Sequence, residues 1–443
     1  MLKPWLKQRG RYIKNRIKSV FFALQGVIVI VGKKNMNTSE SIYETIDKSK
    51  DEMIALQRIL TAIPALDPSS GGKGELQKCL ALEKWLREKG IENLERFDAP
   101  DARADSGIRP NLIATLPGKK SQNLWIMTHL DVVPTGDLSL WNSDPWEMLE
   151  KEGKLYGRGT EDNQQGLVSS IFALKALLAN KQIPEYTVKL LFVADEEVGS
   201  TYGIQYLLEN YSLFQKDDLI IIPDGGDSEG LCIEIAEKNI LWFQVKTLGK
   251  QCHGSRPDEG INAHLAACDL ALLLHDMKNH FSAQNSLFEP VYSTFEPTKK
   301  EANVPNINTI PGEDSFFMDC RILPQYSLDE VRLEIEKRTK SIEKKYGVEI
   351  VVEEKQAVES PATPHDAEVV QVLKKAIQKL RGKEARLIGI GGGTVASYLR
   401  NEGLHAAVWS TLDETAHQPN EYCRIENMIE DAKVLASIML GNN

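Results

Sequence analysis

No two cysteines stand in a C-x-x-C pair. The six (Cys79, Cys232, Cys252, Cys268, Cys320 and Cys423) are scattered along 443 residues. That argues against a disulfide framework or a cysteine zinc site and points to a reducing, cytoplasmic setting. Basic excess is missing too: 53 Lys and Arg face 63 Asp and Glu, a formal net charge of −10. General nucleic-acid binding needs a basic face, so that class is set aside. No internal repeat or low-complexity tract interrupts the chain. With 42% hydrophobic and 26% charged residues, it has the balance of a soluble globular protein, long enough for two or three domains and a large core.

A membrane-spanning stretch is also lacking. The apolar run at residues 19–32, "SVFFALQGVIVIVG", has 14 residues, short of the ~20 that a helical span needs. It follows a segment, 1–18, with seven Lys or Arg and no acid. Three readings of residues 1–35 stand open: a translation start placed too early, with Met36 as the natural one; a membrane-surface anchor; or a cleaved signal, for which no small-x-small site is evident. Membrane contact is expected only if this segment is genuine.

Periodicity organises the rest. Met53, Leu56, Ile59, Leu60 and Ile63 recur at helical spacing over 46–63, and Glu75–Lys89 reads as a second helix. Strands are expected at 111–116 and 124–129. The run "NQQGLVSSIFALKALLAN" is a helix with Leu167, Ile171, Leu174, Leu177 and Leu178 on its buried side. "YTVKLLFVA" and "DLIIIP" are continuous apolar runs, as expected of strands covered on both faces. Near residue 239 the pattern changes to β-α-β-β-α-β: "ILWFQVKTLG", a helix at 261–280, "NINTIP", "SFFMDCRIL", a helix at 327–344 and "VEIVVEE". From Pro364 the α/β alternation resumes. The expected fold is α/β: a mostly parallel-sheet catalytic domain from 36–238 and 356–443, with an inserted α+β lid and dimerisation domain at 239–355.

Acids and histidines cluster where the apolar runs give way to loops: His129 and Asp131 in "LWIMTHLDVVP", Asp162 in "LYGRGTEDNQQG", Glu196 and Glu197 in "VKLLFVADEEVGS", Asp224 in "LIIIPDGG" and His417 in "DETAHQPNEY". Open α/β sheets bind ligands at the carboxyl ends of their strands. So many negative groups in one cleft need cations, and an oxygen- and nitrogen-rich set suits zinc. Singly, each signal has a plain alternative. His129 could cap a turn, Asp162 could be a helix N-cap, and three consecutive acids are usually a solvated face. His129 and Asp131, two apart on a strand, share one face, so Asp131 can orient a metal-bound His129. Of Glu196 and Glu197, one can bind metal while the other stays free as a general base.

Five motifs in order (H-x-D-V-V-P, G-R-G-x-x-D, D-E-E-x-G-S, P-D-G and A-H-x-P-N-E) resemble the dinuclear zinc amidohydrolase and exopeptidase family that includes carboxypeptidase G, aminoacylase-1, acetylornithine deacetylase and succinyl-diaminopimelate desuccinylase. The likeness runs from about residue 45 to 440. It implies a zinc-exopeptidase-like catalytic domain with Asp162 bridging two divalent ions, zinc first, with cobalt or manganese as alternatives. His129 and Asp224 would complete one site, Glu197 and His417 the other. Glu196 would be the general base and Asp131 the residue orienting His129. In the lid, His253 of "GKQCHGSRP" would help polarise the scissile carbonyl, perhaps from the partner of a homodimer, while Asn308 and Arg321, with Gly392 and Thr394, would line the substrate pocket. An Arg there suits a substrate carboxylate.

One departure matters. Acetylornithine deacetylases and desuccinylases follow Gly-Gly-Thr with an acid and an Arg, whereas this chain reads "GGGTVASYLR". The expected activity is therefore hydrolysis of an amide in an N-acyl amino acid or small peptide. An aminopeptidase or dipeptidase of the same family, and a non-catalytic binding protein, are the alternatives.

Overall fold

A computed structural model describes residues 38–441; the readings of residues 1–35 lie outside them. Among the described residues no helix is long and apolar enough to cross a membrane.

In chain order, β1 (Leu94–Pro100), β2 (Ile108–Leu116) and β3 (Asn123–His129) precede a short hairpin of β4 (Leu149–Lys151) and β5 (Lys154–Tyr156). Next come β6 (Thr187–Val193), β7 (Leu219–Asp227) and β8 (Cys232–Glu237). A separate group follows: β9 (Asn239–Leu248), β10 (Cys252–His253), β11 (Thr294–Lys300), β12 (Thr309–Ile310), β13 (Glu313–Ile322) and β14 (Glu349–Val358). The chain ends with β15 (Arg386–Ile390), β16 (Ala406–Thr411) and β17 (Tyr422–Arg424).

The α/β expectation holds, with a mixed sheet in the order β1-β2-β6-β3-β7-β16-β8-β15. Its centre, β6-β3-β7-β16, is parallel throughout. β1 and β2 run antiparallel on one side, and β8 antiparallel to β16 on the other. Alternation explains why the central strands read as unbroken apolar runs. Leu124 and Ile126 enter one core cluster while Trp125 and Met127 enter the cluster on the opposite face. Helix Gln164–Ala179 is buried along almost its whole length and packs against Ile425–Met439. The helix expected over 46–63 is two, Thr38–Lys48 and Lys50–Thr61, parted at Ser49.

A second, four-stranded antiparallel sheet, β11-β13-β9-β14, lies wholly within 239–358. Helices Ala263–His275 and Leu328–Tyr346 pack against it. Ser327 and Glu330 form a reciprocal capping box, and Gly347 ends the second helix at φ 70°. One strand differs from expectation. "NINTIP" supplies only β12, a two-residue partner of β10, and the outer strand is β11. Pro297 and four exposed polar residues hide its period: only Phe295 is buried, and a bulge separates Pro297 from Lys299. An edge strand tolerates what a central one would not.

Candidate active site

Four neighbouring parallel strands deliver the site. β6 leads into Glu196 and Glu197, β3 ends on His129, β7 carries Asp224, and β16 leads into the loop of His417. Because these strands are parallel, their carboxyl ends lie along one edge. Asp162 arrives from the turn before helix Gln164–Ala179, whose N-cap is Asn163 rather than Asp162 itself.

His129 Nε2 lies 2.8 Å from one Asp162 oxygen and 3.8 Å from Asp224. His417 Nε2 lies 3.2 Å from the other Asp162 oxygen and 2.9 Å from Glu197. Two ligand sets result, His129–Asp162–Asp224 and Asp162–Glu197–His417, the atoms of each within 4.8 Å of one another. Asp162 is common to both. Asn163 Nδ2 donates to Asp224 at 2.6 Å and to the Pro223 carbonyl, which fixes the third ligand. His129 Nδ1 lies 3.0 Å from the Asp131 carbonyl oxygen. A proton held there leaves Nε2 free to bind a cation.

The donor set fits divalent metal on an observation of its own: Glu197 Oε1 is buried without a hydrogen-bond partner. Such an atom is costly unless a cation or water meets it. The electrostatics agree. Burial and the Asp162 charge push Glu197 up to about 7, and the same causes raise Asp224. Burial and the Asp224 charge raise Glu196 well above the carboxylate range. Without cations, the acids of this cleft repel one another, and protons on the imidazoles take the cations' place.

That substitution has a measurable consequence. Hydrogen bonds to Asp162 and Glu197 raise His417 to about 10, while an unfolded imidazole titrates near ~6.5. In metal-stripped protein His417 therefore stabilises the fold fully below about pH 6.5, and the contribution is lost as pH rises through the folded value. The Tm gap between stripped wild type and H417N should close towards alkaline pH; a gap independent of pH would contradict the pairing.

Asp131 does more than the sequence suggested. Its carboxylate reaches His129 Nδ1 only at 3.5 Å, but it accepts the backbone N–H groups of Glu196 and Glu197 at 3.1 and 3.0 Å. It thus fixes the turn that carries the two glutamates. Glu196 lies outside both ligand sets and lines a cleft of about 270 Å³ between the two sheets. Arg321, Gly393 and Thr394 line it too, as do Trp242 and Tyr398, which the sequence did not single out. Arg321 donates to both Asp319 oxygens and to the Gly391 carbonyl. The Thr394 hydroxyl donates to Glu237 at 2.7 Å. His253 ends β10 and Asn308 immediately precedes β12, where the Gly254 N–H donates to the Asn308 carbonyl at 2.7 Å; neither lines this cleft, and Gly392 stays beside it in the turn after β15.

Comparison with known proteins gives the family and the fold. A model described as peptidase family M20/M25/M40 matches residues 125–441. An uncharacterized metallohydrolase of Methanococcus maripaludis is 43% identical over 409 residues, 88% of this chain and 99% of that protein. A succinyl-diaminopimelate desuccinylase of Nitratiruptor is 24% identical over 379 residues, 84% of this chain and 94% of that one. Among solved structures, human carnosine dipeptidase 1 shares the fold with a TM-score of 0.68 at 20% identity, over 91% of this chain and 98% of its own.

Proposed function

The chain belongs to peptidase family M20/M25/M40 and is a metal-dependent hydrolase of amide bonds, and from that premise we propose that it cleaves an N-acyl amino acid or small peptide with two divalent ions and Glu196 as the proton carrier. The observation that carries this reading is the shared carboxylate. Asp162 stands in both ligand sets, beside a buried Glu197 oxygen with nothing else to bind. His129, Asp162 and Asp224 would hold one ion, and Asp162, Glu197 and His417 the other. When bound, two such ions supply Lewis acidity and bring the pKa of water towards neutrality.

The remaining steps belong to the chain. Glu196, free of the ligand sets and raised by burial, takes the proton of the attacking water and delivers it to the leaving nitrogen. Asp131 keeps Glu196 in place through its backbone N–H. Arg321 anchors a substrate carboxylate: it stands on the cleft wall with N–H groups to spare beyond its bonds to Asp319 and Gly391. Trp242, Ile240 and Val358 give the same cleft an apolar wall, which suits an uncharged side chain next to that carboxylate. Residues 239–358 act as the lid that closes on the substrate. His253 and Asn308, outside their own chain's cleft, are assigned to the cleft of a second copy, with exposed Leu265 and Leu272 on the lid helix as the contact; a chain that sediments as a monomer at working concentration would remove that assignment.

The test is amine release from a panel of N-acetyl and N-succinyl amino acids and dipeptides, with zinc, cobalt or manganese added. Turnover of a substrate with a free carboxylate, lost when that carboxylate is amidated, is the expected result. Turnover of peptides irrespective of the carboxylate, but requiring a free amino terminus, would favour the aminopeptidase reading instead.

A further inference from the structure

Two buried carboxylates beside the metal ligands lie outside the roles described so far. Glu161 precedes Asp162 and Glu421 follows His417 by four residues; they are 3% and 0% exposed. Each serves the other's loop. Glu161 accepts the Asp413 N–H at 2.7 Å, the Ala416 N–H at 3.1 Å, the Thr415 hydroxyl at 2.8 Å, and the Thr415 N–H. Glu421 accepts the N–H groups of Gly159, Glu161 and Asp162 at 3.0, 3.0 and 3.1 Å, and pairs with Arg158 at 2.6 Å. The loop carrying Asp162 and the loop carrying His417 thus exchange carboxylates, each organising the backbone of the other.

The His417 loop needs outside support. Glu414, His417 and Asn420 all hold φ between 60 and 63°. That left-handed backbone is unfavourable for residues with a side chain and persists where surrounding contacts over-determine it. Glu161 grips the loop on the residues immediately before His417. A glutamate with four donors is also a more expensive partner than a surface turn would require, since a buried carboxylate must be fully satisfied to be tolerated.

We propose that Glu161 is a positioning residue for the second metal: by gripping Asp413, Thr415 and Ala416 it sets His417 against Glu197 and Asp162, so that binding at that one site depends on it. The inference rests on the two-metal reading above, but its test reads metal affinity rather than turnover. Zinc affinity is measured by competition with a chromophoric chelator in two backgrounds. H129A leaves only the Asp162–Glu197–His417 set, and H417A leaves only the His129–Asp162–Asp224 set. Adding E161Q should weaken zinc binding by about 10- to 100-fold in the first background, the range for partners of metal ligands, and by less than about 3-fold in the second. Equal weakening in both, or none in the first, would overturn the proposal, because a merely structural role would not select one site. If E161Q fails to fold, T415V removes the hydroxyl that reaches Glu161 and the Tyr422 backbone while leaving the three backbone N–H bonds to Glu161, and should show the same selectivity at a smaller size; losing it would overturn the proposal equally. Wild-type protein that takes up no zinc would contradict the two-metal reading and this inference with it.

Discussion

Glu196→Gln is expected to lower kcat by about 100- to 10,000-fold, the usual worth of a general base, while the protein keeps both metals. The two halves of that result have separate causes. Metal should remain because neither ligand set contains Glu196 and because its backbone N–H, not its side chain, is what Asp131 holds. Turnover should fall because an amide of the same shape cannot take a proton from water. The position suits a proton carrier: it is half-buried at the edge of the cleft, and burial with the neighbouring Asp224 charge raises its affinity for a proton. Parallel assays of metal content and amine release separate the outcomes. Near-normal kcat would remove Glu196 from this role; lost metal would make it a ligand.

Asp162→Ala should have the larger effect on metal. One oxygen faces His129 at 2.8 Å and the other faces His417 at 3.2 Å, so removing the side chain takes a ligand from both sets at once. Each ion would be left with two of three protein ligands in a cleft whose other acids still repel. Binding should fall to a small fraction of two ions per chain, and turnover to background. H417A, by contrast, should lose one ion and keep the other. Metal analysis after equilibrium dialysis distinguishes these results, and an Asp162→Ala protein that retains two ions would show that the carboxylate does not bridge.

Much of this site was legible because the fold places chemistry at strand ends. His129, Glu196, Glu197 and Asp224 each follow an apolar run, and those runs are the parallel centre of the sheet. The central strands were readable because burial on both faces leaves runs such as LWIM, LLFV and LIII apolar, and the long helices because apolar residues recur along them at helical spacing. What was not legible depends on partners distant in sequence. Glu161 and Glu421 look like ordinary acids within motifs until the fold sets Glu161 against Thr415, 254 residues away. Asp131 suggested a partner for His129 by spacing, and only the structure shows its carboxylate tied to the 196–197 turn. β11 was missed because an edge strand needs little apolar period, and Pro297 disguises what remains. His253 and Asn308 matched a motif, and the structure sets them at the short β10–β12 pairing, apart from the cleft.

The most direct measurement is amine release followed during stepwise return of zinc to metal-stripped protein. The account predicts no turnover without metal and activity that levels off at two ions per chain, since Asp162 joins two complete ligand sets and Glu196 works beside both. Activity that levels off at one ion, or that survives complete stripping, would contradict the two-metal mechanism.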